Sequence, residues 1–148
     1  MRKWQTALGM VVVALLVIGG FAVRLRTTSP TVRLDLSQHN GTLDLGNSRA
    51  DLEITPRPPQ PLQAFALRLR PASQVELRDL RVAFTMRMDM GPNNYTFEAD
   101  TDGSYVARGI VLPKCGSGNL DWFGTLTGVA DKLPVETRFA LTLTKPAP

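Results

Sequence analysis

The chemistry this chain can offer is mostly sulfur chemistry. Met86, Met88 and Met90 stand at alternate positions, and Val82 and Phe84 carry the same alternation upstream. Arg81, Thr85, Arg87 and Asp89 hold the other parity. On a β-strand every second side chain points the same way, so the three thioethers would share one face. A rise of roughly 3.3 Å per residue spaces them about 6.6 Å apart along the strand. Flexible Met side chains can close that gap. Gly91 and Pro92 follow at once, so Met90 is expected near a sheet end. Thioethers are soft ligands suited to Cu(I). They are equally good core fillers. Met86 reads more readily as core, whereas Met88 and Met90 fit either use.

The second sulfur centre is Cys115, in Leu112-Pro113-Lys114-Cys115-Gly116-Ser117-Gly118. It is expected where a strand gives way to a loop. As the sole cysteine it forms no intramolecular disulfide. A core thiol, an intermolecular disulfide and a metal ligand all fit. Lys114 adjoins it and would favour thiolate. That help is weak, because neighbouring strand residues face opposite ways. If Met88, Met90 and Cys115 meet at one rim, with or without Met86, they make a low-coordinate Cu(I) site. The sole histidine, His39, lies in the turn-like Gln38-His39-Asn40-Gly41 and reads more readily as an exposed loop residue than as a copper ligand, though imidazole also binds copper. One histidine makes a histidine-based zinc centre or catalytic triad a poor fit. No carboxylate pair is poised for acid–base work and no glycine-rich phosphate loop is present, so the sequence does not suggest an enzyme.

These residues must be positioned by a chain of 148 residues, enough for one domain and little else. The formal net charge is +4, and Arg2, Lys3, Arg24 and Arg26 account for it. The rest balances, so no nucleic-acid footprint is expected. Those four cations flank the uncharged segment Trp4 to Val23. About 20 apolar residues suffice for a membrane-spanning helix. A cleaved signal peptide is the competing reading, but Gly20-Phe21-Ala22 is a poor cleavage site. The sequence therefore divides into an anchor at 1–26, a tether at 27–30 and an exported domain at 31–148. A short N-terminus favours an N-in, C-out orientation, with the domain in the bacterial periplasm.

Beyond Pro30 the pattern is period two, with turn signals and no convincing 3.6-residue repeat. Strands are expected near Thr31–Leu36, Asp51–Thr55, Ala64–Arg70, Val75–Met90, Tyr95–Ala99, Ser104–Leu112, Leu120–Thr127 and Val135–Thr144. The fourth is long enough to hold two strands or a bulge near Arg78 and Asp79. Asp100 to Gly103 reads as a hairpin turn. Trp122 shares parity with Leu120 and Leu126 and should be core. The fold expected is an all-β, immunoglobulin-like antiparallel sandwich behind one N-terminal transmembrane helix. The run Pro56-Arg57-Pro58-Pro59-Gln60-Pro61 reads as a stiff connection rather than a polyproline ligand. Asn40-Gly41-Thr42 and Asn94-Tyr95-Thr96 match the glycosylation triplet but carry no weight, since such triplets are frequent by chance.

Several of these features together are similar to the FixH-like and YtkA-like group of small bacterial membrane-anchored or periplasmic proteins. They are the anchor, the Met-containing strand ending in Met88-Asp89-Met90-Gly91, the Tyr95 and Phe97 strand, Gly103-Ser104-Tyr105 and the strand carrying Trp122. The resemblance spans roughly Ala64 to Leu143 plus the anchor. The stretch holding His39, the proline-rich loop and Leu112 to Cys115 depart from it. It implies copper handling and cytochrome oxidase assembly, with a respiratory-chain or copper-delivery protein as partner. A metal-free accessory module of a membrane complex is the alternative.

Overall fold

The computed structural model describes Leu36, residues 39–73, 75–87, Gly91 and residues 93–145. The segment expected to be the membrane anchor lies outside them. Among the described residues no helix is long and apolar enough to cross a membrane. The described chain is all β: β1 Gly41–Leu45, β2 Ser48–Thr55, β3 Phe65–Pro71, β4 Leu77–Thr85, β5 Asn93–Thr96, β6 Glu98–Ala99, β7 Tyr105–Ile110, β8 Asp121–Ala130 and β9 Leu133–Thr142.

The strands form two antiparallel sheets, ordered β1-β2-β3-β7-β6 and β5-β4-β8-β9. Alternation decides their faces. In β4, Leu80, Val82 and Phe84 point inward and Arg81 and Thr85 outward. In β8, Trp122, Gly124 and Leu126 are buried between more exposed neighbours. The inward faces of both sheets share one apolar core. Phe84 is its hub, packing edge-on against Phe65 of β3, Tyr95 of β5 and Phe139 of β9, with centroids 6.4, 6.1 and 6.0 Å away. Phe139 lies across Gly124, where an added Cβ would stand 2.3 Å from its ring. Glycine in β8 thus makes room for the aromatic cluster.

The long fourth segment is one strand with a register shift between Arg78 and Arg81. Asp79 takes φ +52° there, the left-handed conformation of a bulge. Between β8 and β9, Asp131 and Lys132 both have positive φ, as a two-residue type I′ turn requires. Gly103, at φ +78°, closes the turn after Asp100.

The structure corrects the expected strand list at the N-terminal side. Leu36 sits in a turn and is fully buried, not at a strand end; residues 31–35 lie outside the described chain. The first described strand is β1, which begins at the end of the turn expected at Gln38 to Gly41 and was not among the expected strands. Its period-two signal is Leu43 and Leu45, too short to stand out alone. The hairpin partner β2 completes it, pairing Gly41 with Leu52 and Leu45 with Ser48.

Candidate sulfur site

Antiparallel pairing decides which loops meet. The beginning of β1 pairs with the end of β2, the end of β2 with the beginning of β3, and the beginning of β3 with the end of β7. In the other sheet the end of β4 lies beside the beginnings of β5 and β8, and the beginning of β8 beside the end of β9. Phe65 against Phe84 sets these two groups of strand ends at the same end of the domain. The chain enters β1 there, so we term it the entry end. It gathers His39, the proline-rich loop 56–64, the residues following Thr85, the loop 111–120 and the residues after β9.

Backbone hydrogen bonds hold these loops together. Leu62 N–H donates to Leu112 C=O at 3.0 Å, Thr144 N–H to Pro59 C=O at 2.8 Å and Leu143 N–H to Leu120 C=O at 3.0 Å. The Arg57 guanidinium donates to Asn40 Oδ1 at 2.6 Å. The Tyr95 hydroxyl clips β5 to the other sheet by donating to Val111 C=O at 3.0 Å. The proline-rich run is thus a connection between β2 and β3, tied down on both sides.

Within this end, Met86 follows directly on β4 and continues its inward alternation, 8% exposed. Cys115 is 5% exposed and belongs to the same core cluster. Cys115 opens a tight turn in which Gly118 N–H returns to its carbonyl at 2.8 Å, with Gly118 at φ +81°. That turn brings Ser117 back onto the thiol, its hydroxyl donating to Sγ at 3.2 Å. The Ser117 side chain lowers the Cys115 pKa from the ordinary thiol range, its backbone N–H adds to this, and burial opposes it. The residue acting on the thiol is therefore Ser117, two positions on. Lys114 is exposed while its neighbour is buried. A Cys-Gly-Ser-Gly turn was the signal available for it.

Two of the four proposed ligands, Met88 and Met90, lie outside the described residues, between Arg87 and Gly91. His39 is exposed at the entry to β1. Among the described residues no three His, Cys, Asp or Glu side chains gather as they would around a metal ion.

Sequence reasoning did not find a neighbouring feature. An open cleft of about 450 Å³ lies at the entry end of β8 and β9, with Arg87, Asn119, Asp121, Phe123 and Thr142 in its lining. Asp121 accepts from the Thr142 hydroxyl at 2.9 Å, and Phe123 remains 39% exposed. Trp122 also borders it; its indole Nε1 is buried and finds no acceptor among the described residues. Comparison with family models, with curated proteins and with solved structures finds no match.

Proposed function

We propose that this chain is a membrane-anchored periplasmic Cu(I)-binding protein of metallochaperone type that assists assembly of a respiratory oxidase. The observation carrying the reading is the entry end. Two elements far apart in sequence deliver a thioether, Met86, and a thiol, Cys115, to one end of one core. Met88 and Met90 follow Met86 within four residues. Ser117 favours the thiolate, the form that ligates metal. Such donors suit Cu(I), which accepts low coordination numbers and soft sulfur. In this reading Met88, Met90 and Cys115 hold the ion, and Met86 closes the site from the core side. No catalytic role is assigned.

The immunoglobulin-like reading of the fold is supported by strand order. β2-β3-β7-β6 and β5-β4-β8-β9 follow the order of the four-stranded sheet and the extended facing sheet of that architecture. β1 is then an added edge strand. The resemblance to the FixH-like and YtkA-like group points the same way, and the uncharged Trp4–Val23 segment supplies the anchor.

A second reading, a metal-free accessory module of a membrane complex, is favoured by burial. Met86 and Cys115 are both packed into apolar core. A competition titration of the full chain against a Cu(I) chelator under reducing conditions separates the two. The copper reading expects one tightly held Cu(I), lost when Met88 and Met90 become leucine. That change nearly conserves volume and should leave folding intact. Cys115→Ser alone should weaken binding separately. Equal copper retention by wild type and the double-leucine variant would leave the accessory module as the better account.

A further inference from the structure

Two open sheets leave four edge strands, and here they differ in length. Among the described residues β1 has five residues, β5 four and β6 two, whereas β9 has ten, Leu133–Thr142. On one side β9 pairs with β8, in unbroken register from Ala130↔Leu133 to Asp121↔Thr142. Among the described residues no strand pairs with its other side. An unpaired row of backbone groups is a template for a further strand. The direction of those groups follows from the hairpin. The two-residue turn at Asp131 and Lys132 makes Ala130 and Leu133 a hydrogen-bonded pair, and the pairs alternate from there. Val135, Thr137 and Phe139 therefore direct their N–H and C=O groups at β8. Glu136, Arg138 and Ala140 turn theirs to the open side, as does Pro134. Pro134 has no N–H to offer, so this proline stands where an edge strand accepts one.

We propose that β9 pairs antiparallel with β9 of a second copy of this chain, joining two four-stranded sheets across a two-fold axis at Thr137. Charge selects that register. Glu136 and Arg138 are both exposed and share the outer face of the strand. With Thr137 on the axis, Glu136 lies opposite Arg138 of the second copy, and Arg138 opposite its Glu136. All four residues turn their backbone groups to the open side, so each pair exchanges two hydrogen bonds. At either end the Ala140 N–H meets the Pro134 carbonyl of the other copy. Moving the axis one residue sets Glu136 against Glu136 or Arg138 against Arg138, and like charges directly opposite are destabilising. Leu133 adds an apolar contact. It is 59% exposed although it shares the inward parity of Val135, and the pairing sets it beside Leu141 of the second copy. A contact of this kind uses the same patch on both copies and closes at a dimer. The inference goes beyond the proposed function and depends on neither copper nor the anchor.

The test is sedimentation of the full chain in mild detergent, for wild type, for Glu136→Arg, for Arg138→Glu and for an equimolar mixture of the two variants. These side chains are exposed and add little to the fold of one chain, so association is the readout. Wild type should sediment as a dimer. Either variant alone opposes like charges in both pairs and should weaken association on the order of tenfold or more. The mixture restores both opposite-charge pairs and should form a heterodimer about as tight as the wild-type dimer. Mild oxidation reads the register. Thr137→Cys puts two thiols in a non-hydrogen-bonded pair with Cα atoms about 4.5 Å apart, within disulfide reach. It should cross-link above the background set by Cys115 in wild type. Glu136→Cys should not, because its counterpart lies two positions along the strand. A monomeric wild type overturns the proposal and leaves the edge to a strand of another protein. A dimer equally stable in every version also overturns it, since another part of the chain must then hold it. A mixture that stays monomeric does the same, as does stronger cross-linking by Glu136→Cys than by Thr137→Cys.

Discussion

The two ends of this domain are built by different means. At the far end the connections are tight. Gly46 and Asn47 join β1 to β2, and Asp131 and Lys132 join β8 to β9. The turn after β6 is held by a charged network. Arg68 donates to Asp102 Oδ2 at 3.0 Å and to Ser104 Oγ at 2.8 Å, and Arg108 donates to Asp100 Oδ2 at 3.1 Å. At the entry end the connections are long, and their own carboxylates are missing among the described residues. Backbone hydrogen bonds and apolar packing around Phe84 hold them instead. Tight turns stabilise a sandwich but leave little backbone to vary. Long loops over a packed core are where binding residues are commonly placed. The proposed site lies at the entry end, among the long connections, and the tight turns lie at the far end.

This contrast can be broken in order of expected effect. Phe84→Ala removes the aromatic hub from a fully buried position and should cost about 3–5 kcal/mol. A denaturant midpoint left in place would show that the entry end does not depend on that packing. Gly124→Ala is more discriminating. Strand propensity alone would reward the change by up to about 1 kcal/mol. The close approach of Phe139 predicts a loss of about 1–3 kcal/mol through overpacking. A thermal melt of the variant gives the sign, and a gain would mean that Phe139 can move aside.

At the far end Ser104→Ala deletes a buried hydroxyl that donates to Asp102 and accepts from Arg68. A loss of about 1 kcal/mol is expected, the usual net worth of a hydrogen bond. The same site should respond to acid. Asp102 is held below the usual carboxylate range, first by the Ser104 hydroxyl and then by its backbone N–H. A depressed carboxylate contributes its stability above the unfolded value, and that contribution is lost as pH falls through the folded value. Wild type should therefore lose more stability than Asp102→Asn between neutral pH and the region below the usual carboxylate range. Parallel pH–stability curves would remove Asp102 from the account. The smallest effect is expected at Arg138. Its pair with Glu136 at 2.9 Å is largely exposed, so Arg138→Ala should change stability by less than about 0.5 kcal/mol.

Local pattern made much of the fold legible. Alternation along β4 and β8 is enough to put Val82, Phe84 and Trp122 inside, because side-chain direction on a strand has period two. The turn at Asp100 to Gly103 and the irregularity near Asp79 were legible for the same reason: each breaks a strong local pattern. β1 was not, since five residues with two inward leucines say little without their hairpin partner.

The sulfur residues show where local information stops. The sequence by itself determined that Met86 continues the inward face of β4 and that Cys115 stands in a glycine-rich turn. It did not determine that both belong to one end of one core, in company with His39 and the proline-rich loop. Their grouping follows from antiparallel pairing between strands far apart in the chain, and that pairing is chosen by burial of both sheets against each other. The identity of the group acting on the Cys115 thiol was decided the same way. The adjacent lysine is exposed in the loop after β7, and the Ser117 hydroxyl is turned in by the Cys115–Gly118 turn. Side-chain alternation is a property of the backbone and can be read one strand at a time. Which strand ends meet depends on long-range apolar contacts, and only the folded chain decides it.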